Sequence, residues 1–176
     1  MEDAVPADCM LKLFHSLNSI HFSKLMHVYS ESNRKNADIQ FPQEERNLAL
    51  MQVEQDFYQY LKQCFFTTHG AFYAVWQQSD VYVSALRVEP FQDGMLITGL
   101  ETAPEHRRCG YAVQLIGAVA DILRQQGLHC IYSHVDKQNH PSLKAHLACG
   151  FDRVLEHAVY IDGSVVRSAC TLQLIL

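Results

Sequence analysis

The sequence has few of the residues and motifs that mark several large classes of protein. Its 176 residues include only eight glycines, five prolines and one tryptophan. None of the glycines falls into G-x-G-x-x-G or G-x-x-x-x-G-K-S/T, the loops that hold phosphates in dinucleotide- and triphosphate-binding proteins. No apolar run approaches the roughly 20 residues that a membrane-spanning helix needs. These absences argue against the common nucleotide-binding folds and against a transmembrane segment.

Positive charge and clustered metal ligands are also scarce. The chain has 14 Lys and Arg against 19 Asp and Glu, a net charge of −5. Domains that bind nucleic acids normally present a basic face, so we expect no nucleic-acid partner. Six cysteines are spread without a C-x-x-C pair, and ten histidines show no H-E-x-x-H pattern. We therefore predict reduced thiols and no metal site.

The hydrophobic content and the length of the sequence are typical of a globular protein. Hydrophobic residues make up 48% of the sequence, and 176 residues are enough for one domain with its own core. We predict a single domain over residues 1–176. Residues 1–6 are acidic and lack the basic and apolar regions of a signal peptide, so we expect a cytoplasmic location.

The order of periodic patterns predicts a mixed α/β fold, with one central mixed sheet of about six or seven strands flanked by about four helices. A polar run at residues 30–36 indicates a loop between the first two helices. The predicted helices are residues 19–33, about 44–65, 111–126 and 141–149. The predicted strands are residues 10–15, 71–77, 81–88, 95–100, 130–135, 151–161 and 165–176, the last two joined by a turn at Asp162 and Gly163.

A short basic turn joins the strand at residues 95–100 to the helix that begins at Tyr111. The first N–H groups of a helix lack partners and carry the positive end of its dipole, so Arg107 and Arg108 are unfavourable there. A docked polyanion would reverse that effect, and the turn then serves as a phosphate cradle. A surface loop with two solvated arginines is the alternative interpretation of this stretch.

A second group of polar residues lies on the predicted helix at residues 141–149. Asn139, Ser142 and His146 are spaced so that they share one face, with Pro141 near the start of the helix and Gly150 just after its end. Asn139 can also be an N-cap with Ser142 at the third helical position. The two interpretations are compatible, because a capping side chain can also face a ligand.

Both motifs resemble those of the GNAT (Gcn5-related) N-acetyltransferase superfamily. Arg107-x-x-Gly110-x-Ala112 resembles the Arg/Gln-x-x-Gly-x-Gly/Ala turn that wraps the pyrophosphate of acetyl-CoA. Asn139-x-x-Ser142-x-x-x-His146-x-x-x-Gly150-Phe151 is similar to the family's second acetyl-CoA segment. The resemblance covers residues 70–176, the expected acetyl-CoA-binding core. Residues 1–66 correspond to the variable, substrate-facing helices of the family.

The resemblance implies acetyl-CoA as co-substrate and names its contacts. Backbone groups of residues 100–102 would hold the acetyl and pantetheine portions, amides of residues 108–112 the pyrophosphate, and Asn139 and Ser142 the pantetheine arm. Cys109, at the start of the helix, would donate its backbone; a lowered thiol pKa there is the other interpretation. The predicted contacts are Leu100, Glu101, Thr102, Arg107, Arg108, Cys109, Gly110, Tyr111, Ala112, Asn139, Ser142 and His146.

Two residues are catalytic candidates for the implied reaction, direct attack of an amine on the thioester in a ternary complex. His146 stands where the family most often has a tyrosine that protonates the departing thiolate. Phosphinothricin-acetyltransferase-like enzymes resemble this chain in having His there, and a hydrogen-bonded structural role is the alternative. Glu101, at the end of a strand, is the candidate base or proton relay. Simple alternation places Glu101 on the face of Met95 and Ile97, whereas a bulge would reverse it.

Three functions remain in competition at this point. The first is transfer of acetyl from acetyl-CoA to a primary amine of a small molecule or a peptide. The second is a non-catalytic acyl-CoA-binding sensor or interaction protein of the same fold, which the missing tyrosine keeps open. The third, another phosphate-binding α/β enzyme, lacks its glycine motifs. The acceptor amine is not specified by the sequence, and a homodimer is left open.

Overall fold

A computed structural model describes residues 9–176 of the chain, so residues 1–6, on which the predicted location depends, lie outside the described residues. The helices are α1 (Phe22–Val28), α2 (Ser30–Gln40), α3 (Arg46–Gln63), α4 (Tyr111–Gln125) and α5 (His140–Ala148). The strands are β1 (Cys9–Phe14), β2 (Phe72–Gln78), β3 (Val81–Phe91), β4 (Gly94–Thr102), β5 (Cys130–Asp136), β6 (Asp152–Leu155), β7 (Ala158–Val159), β8 (Val165–Val166) and β9 (Ala169–Ile175).

Seven of these strands form one mixed sheet in the order β1-β2-β3-β4-β5-β9-β6. The β4–β5 pair is parallel, and the other pairs are antiparallel. β7 and β8 form a separate two-stranded ribbon. The predicted single mixed sheet with flanking helices is confirmed, with five α-helices in the described chain. No helix within residues 9–176 combines the length and the apolar character needed to cross a bilayer.

The sheet is covered on both faces. Under α4, Leu115, Ile116 and Val119 pack with strand residues such as Leu86 and Val88. On the opposite face, α1 and α3 bury their apolar residues against a second set of strand side chains that includes Tyr73, Val75 and Ala85. The two sets alternate along β2 and β3, as the pleat requires. Full burial of a large apolar side chain stabilises the fold by roughly 1.5–3 kcal/mol, so these two layers fix the sheet between its helices.

The predicted loop at residues 30–36 is wrong, because these residues form most of the helix α2. The predicted helix at residues 19–33 is instead divided: α1 ends at Val28, and α2 begins at Ser30 after a one-residue turn. Asn33 and Ala37 of α2 are buried, and Ala37 packs against Ala49 and Val53 of α3. The packing of one narrow face of α2 therefore stabilises the helix despite the low helix propensity of its polar residues.

The two predicted closing strands are each interrupted in the structure. Residues 151–161 contain β6 and β7 separated by a bend, and residues 165–176 contain β8 and β9 separated by a turn. The predicted turn between them is confirmed: Gly163 has a φ of 81°, and the carboxylate of Asp162 accepts a hydrogen bond from the amide of Ser164 at 2.9 Å. The tip of this hairpin thus leaves the main sheet as a separate ribbon.

A β-bulge in β4 changes the facing of Glu101. Ile97 pairs with Val88 and Glu101 pairs with Ala85, so β4 contains one residue more than β3 between these positions. Gly99, with a φ of 59°, lies in the bulge. Because paired residues share a face, Glu101 lies with Ala85 on the side of α1–α3, and Ile97 lies under α4. The placement of Glu101 by simple alternation is therefore wrong, and the bulged alternative is the one observed.

Candidate active site

A cleft opens where β4 and β5 stop pairing. Their parallel ladder has only three pairs, from Met95 with Ile131 to Ile97 with Ser133, although β4 continues to Thr102 and β5 to Asp136. The main chain of residues 98–102 therefore has an edge that β5 does not cover. Backbone N–H and C=O groups on such an edge can hydrogen-bond an extended ligand.

The resulting central cleft has a volume of about 660 Å³. Its walls come from α2, the end of β4, the turn after β4, and the first residues of α4 and α5. Ten of the twelve residues predicted to contact acetyl-CoA line it: Leu100, Glu101, Thr102, Arg107, Arg108, Gly110, Tyr111, Ala112, Asn139 and Ser142. Cys109 and His146 are the two predicted residues outside this lining.

The turn before α4 has the backbone shape of an anion cradle. Arg108 and Gly110 have positive φ angles of 62° and 77°, which bend the chain so that successive amides can converge. Gly110 is the N-cap of α4 and supplies no side chain to cap it. A Cβ atom at Gly110 would lie 3.6 Å from the side chain of Gln114, an ordinary contact. The conformation, and not a lack of space, therefore favours glycine at this position.

The two arginines of the turn differ in their surroundings. Arg107 forms an ion pair with Glu31 of α2, and its Nε donates to the carbonyl of Thr102 at 3.1 Å. Its charge is thus balanced within the protein, which corrects the expectation that both arginines are unfavourable until a polyanion docks. Arg108 is exposed, and neither it nor Lys144 across the cleft forms a salt bridge within the described residues. These two side chains supply unbalanced positive charge.

Cys109 is exposed at the turn without facing the cleft. Its thiol lies 3.5 Å from the carbonyl oxygen of Arg107 and donates a weak hydrogen bond to it. The expected backbone role of Cys109 stays a prediction.

Asn139 and Ser142 occupy the positions that the helical spacing predicts. Asn139 is the N-cap of α5, and its side-chain oxygen accepts a hydrogen bond from the amide of Ser142 at 3.2 Å. The capping interpretation is therefore confirmed, and both residues also line the central cleft. The cap holds the start of α5 beside the start of α4.

His146 is buried inside the protein, with 1% of its surface exposed. Its Nδ1 lies 2.8 Å from the carbonyl oxygen of Ser142, which can only accept, so Nδ1 carries the proton in the neutral ring. Nε2 is buried and has no hydrogen-bond partner among residues 9–176, and the ring packs edge-on against Phe151 with the ring centres 5.1 Å apart. Burial lowers the pKa of His146, although the hydrogen bond to Ser142 opposes this effect. The imidazole is therefore neutral at neutral pH.

Glu101 is partly buried between the sheet and α2, with 26% of its side chain exposed. Burial raises its pKa, while a hydrogen bond from Ser32 and the charges of Arg107 and Lys35 lower it. The Arg107 guanidinium lies 3.9 Å from its carboxylate. Its carbonyl oxygen accepts a hydrogen bond from the hydroxyl of Ser84 at 2.7 Å, which fixes the main chain on the far side of the bulge.

A second cavity of about 470 Å³ lies on the other side of Glu101, between α2, α3 and the sheet. Glu101 and Ser32 line both spaces. The remaining lining residues are Tyr29, Asn33, Asn36, Gln40, Val53, Asp56, Phe57, Tyr60, Arg87 and Gly99. Sequence reasoning does not identify this site. The one available signal is Arg87, a charged residue within the apolar run of β3.

Comparison with known proteins agrees with this geometry. The model of the acetyltransferase (GNAT) family matches residues 31–151. No curated protein matches the chain significantly by sequence.

Several solved structures share the fold over nearly the whole chain. The PaiA N-acetyltransferase from Thermoplasma acidophilum in complex with coenzyme A aligns with a TM-score of 0.66 at 10% identity, covering 95% of this chain and 99% of that one. The ribosomal-protein-S18-alanine N-acetyltransferase from Escherichia coli gives 0.60 at 15% identity, covering 94% of each chain.

A spermidine N-acetyltransferase from Vibrio cholerae in complex with CoA and spermine gives a TM-score of 0.60 at 17% identity, covering 97% of this chain and 96% of that one. At these identities the solved structures establish the fold, while the family model covers more than two thirds of the sequence. The motifs, the opened strand pair and the family match lead to one conclusion: this chain belongs to the GNAT acetyltransferase family, whose acetyl donor is acetyl-CoA.

Proposed function

We propose that this protein transfers an acetyl group from acetyl-CoA to a primary amine of a small molecule or a peptide, by direct attack in a ternary complex. The observation that carries the proposal is the position of Glu101, a partly buried carboxylate that lines both the central cleft and the second cavity. A donor in the first space and an acceptor in the second would meet beside a group that can take a proton.

The central cleft suits coenzyme A. The anion-shaped turn at residues 108–112 and the unbalanced charges of Arg108 and Lys144 match a diphosphate. The uncovered main chain of residues 100–102, together with Asn139 and Ser142, offers donors and acceptors to the amide groups of the pantetheine arm. When bound there, acetyl-CoA supplies the activated acetyl group as a thioester.

Glu101 is the group that we propose as base or relay for the acceptor. An amine must be neutral to attack, and at neutral pH most primary amines carry a proton. A carboxylate whose pKa burial raises is a stronger base than an ordinary one, and it is still ionised above that pKa. Glu101 can take the proton directly or through a water molecule, because it lies at the junction of the two spaces.

His146 is the predicted donor of a proton to the departing thiolate, and that role stays a prediction. The geometry supports a different one. The Nδ1 proton is committed to the carbonyl of Ser142, and the free Nε2 of a neutral ring has a lone pair and no proton to give. We therefore propose the alternative role for His146, a structural one, in which its hydrogen bond and its packing hold α5 in position.

The relatives support an amine acceptor without selecting one. The names of the neighbours include spermidine and the alanine of a ribosomal protein, a small molecule and a polypeptide. We keep a single acetyltransferase domain over residues 1–176, a cytoplasmic location and a homodimer as further proposals. Light scattering of the purified protein tests the dimer.

The test separates catalysis from binding. Calorimetry measures the affinity of the protein for acetyl-CoA, and a thiol reagent measures the release of free coenzyme A with and without a panel of primary amines. We expect micromolar binding and release that rises with amine concentration, with one acetylated amine formed per thiol. Binding that no amine converts into thiol release would contradict the proposal and support the non-catalytic sensor.

A further inference from the structure

We propose that the acceptor carries a carboxylate as well as its amine, and that Arg87 binds this carboxylate in the second cavity. This inference rests on the proposed function, because it concerns the acceptor of the same reaction. It narrows the open class of primary amines to amino acids and related zwitterions.

Arg87 extends from β3 into the second cavity, on the same sheet face as Ala85 and Glu101. Three aromatic rings surround its guanidinium group. The central carbon lies 5.5 Å from the ring centre of Phe57, 5.2 Å from that of Tyr60 and 6.0 Å from that of Phe65. Such rings favour a cation over their faces and restrict its motion. The guanidinium is therefore held in a fixed orientation.

Among the described residues, no carboxylate forms a salt bridge with this cation. Within residues 9–176, no carboxylate oxygen lies within 4.0 Å of the guanidinium nitrogens, and the Nε of Arg87 is buried without a hydrogen-bond partner. Glu89, the acidic residue two positions further along the same strand, is half-buried: burial raises its pKa, and the charge of Arg87 lowers it, but the two groups form no salt bridge. An arginine keeps its charge under all ordinary conditions, and a buried cation without a partner is unfavourable. A bound anion would remove that penalty.

The geometry around Arg87 leaves room for a planar anion. The rings engage the guanidinium, whose N–H groups form a fork that matches a carboxylate. Gly99 of the bulge lies against this fork, since a Cβ atom there would lie 3.1 Å from both Nε and Nη2 of Arg87. Any other residue at this position would crowd the Nε–Nη2 edge. Because Nε is buried, the terminal Nη groups are the donors that can meet an anion in the cavity.

The spacing between Arg87 and Glu101 along the sheet favours a small acceptor. Arg87 and Ala85, which pairs with Glu101, are two residues apart on β3. At about 3.4 Å per residue, the backbone positions of Arg87 and Ala85 are roughly 7 Å apart along β3, and Glu101 lies beside Ala85 on the next strand. An amino acid, with its amine and carboxylate a few bonds apart, can place the amine toward Glu101 and the carboxylate on Arg87.

Two other acceptor classes fit this cavity less well. A polyamine could pair with Asp56 and Glu101 of the lining, but it would also meet Arg87 as a like charge. The faces of Phe57 and Tyr60 that could bind an ammonium group are already covered by the guanidinium. A phosphate group would carry about two negative charges. Arg87 is the only lysine or arginine among the described lining residues, and one cation matches one carboxylate better.

The first experiment uses the unaltered protein and matched acceptors. Each set contains an amino acid, the amide of its carboxyl group, and the amine left when the carboxyl group is removed; spermidine is a further arm. We expect kcat/KM for the amino acid to exceed that for either matched compound by about 100-fold, the scale of a charge-assisted pair. Equal or better use of the amides, the decarboxylated amines or spermidine would overturn the inference.

Variants then assign the preference to Arg87. Arg87→Met removes the charge at similar length, and we expect it to abolish the 100-fold preference while the Kd for acetyl-CoA changes less than about twofold. Arg87→Lys keeps the charge without the fork and should retain part of the preference. Lys62→Met, at an exposed position on α3, is the control for a lost positive charge. A preference that survives in Arg87→Met contradicts the assignment.

The two proposals fail in different ways. Thiol release that depends on amines but ignores the carboxylate overturns only this inference. Absence of release with every acceptor, despite binding of acetyl-CoA, overturns the proposed function and this inference with it. If Arg87→Met does not fold, the comparison of acceptors with the unaltered protein still decides the question.

Discussion

The central cleft and the second cavity meet at Glu101, but they are built from different parts of the chain. The cleft owes its shape to main chain: an unpaired strand edge and a turn with two positive φ angles. The second cavity owes its shape to side chains from α2, α3 and β3. Main-chain recognition depends on local backbone shape, whereas side-chain recognition depends on residues brought together from distant positions. A short sequence motif can therefore specify the central cleft, but it cannot specify the second cavity.

The largest expected effect breaks the main-chain site alone. Gly110→Glu would put a residue with a side chain into a left-handed backbone conformation and place a carboxylate beside the proposed phosphate site. We expect the affinity for acetyl-CoA, measured by calorimetry, to fall at least about 100-fold.

Gly163→Glu is the matched control for that variant. Gly163 has a φ of 81° and lies on the exposed hairpin, where a Cβ atom would meet no atom of the described residues within 4 Å. The backbone strain and the added charge are therefore similar in the two variants. We expect this control to bind acetyl-CoA normally. Retained affinity in Gly110→Glu, or equal loss in both variants, would contradict the phosphate cradle.

A second change acts at the junction and leaves both spaces in place. Glu101→Gln should lower kcat by about 100-fold, the lower end of the usual range for a general base, with the Kd for acetyl-CoA unchanged. In the unaltered protein, the rate should rise with pH as Glu101 loses its proton. The pH at which the rate rises should be higher than the pKa of an ordinary glutamate side chain, because burial raises the pKa of Glu101. The variant should lack this rise.

The same variant has a signed effect on stability. A carboxyl group whose pKa is raised by folding stabilises the folded state below its unfolded pKa and loses that contribution as the pH rises through the folded value. Glutamine resembles the protonated form, so the thermal midpoint of Glu101→Gln at pH 7 should not be lower than that of the unaltered protein. Glu44→Gln, at an exposed position, is the control. Unchanged kcat would remove Glu101 from the mechanism.

His146 should separate stability from turnover. His146→Ala loses a buried ring and its hydrogen bond to Ser142, which should destabilise the protein by about 2 kcal/mol in urea unfolding. We expect kcat to change less than about threefold, with an unaltered pH profile. His140→Ala, an exposed histidine at the start of α5, is the control. A 100-fold loss of kcat at constant affinity would instead support the predicted proton donor.

The smallest effect concerns the acidic residue that borders the cleft. Glu31 forms ion pairs with Lys35 and with Arg107, and these contacts lower its pKa, so it is ionised at neutral pH. Glu31→Gln removes a negative charge from the cleft wall and leaves Arg107 available to an anion. We expect acetyl-CoA to bind a few-fold more tightly at low salt, with the gain reduced at high salt. Weaker binding would show that the ion pair mainly holds the turn in place.

The comparison of the two spaces also explains what the sequence could predict. The turn at Gly110 and the cap at Asn139 depend on residues within a few positions of each other, and both lie where local spacing predicts them. The helix predicted at residues 111–126 is likewise observed, as α4. The family and the fold follow from these local features.

Other features depend on contacts that no local pattern contains. Residues 30–36 have the composition of a loop, and they are helical because Ala37 packs on α3. The facing of Glu101 depends on one extra residue in β4, which alternation cannot detect. Arg87 and Tyr60 lie 27 positions apart in the sequence and meet only after β3 and α3 are packed together. The proposed acceptor site therefore could not be predicted from the sequence.

The single inserted residue in β4 has a consequence for how this protein can be altered. Side chains along a strand alternate between the two faces of the sheet, and the extra residue reverses that alternation after Gly99. Deleting one residue from this segment would restore the original alternation, and the carboxylate of Glu101 would then point into the apolar core beneath α4. A substitution at Gly99 would disturb the surroundings of Glu101 locally, whereas a deletion there would move the proposed proton acceptor to the opposite side of the sheet.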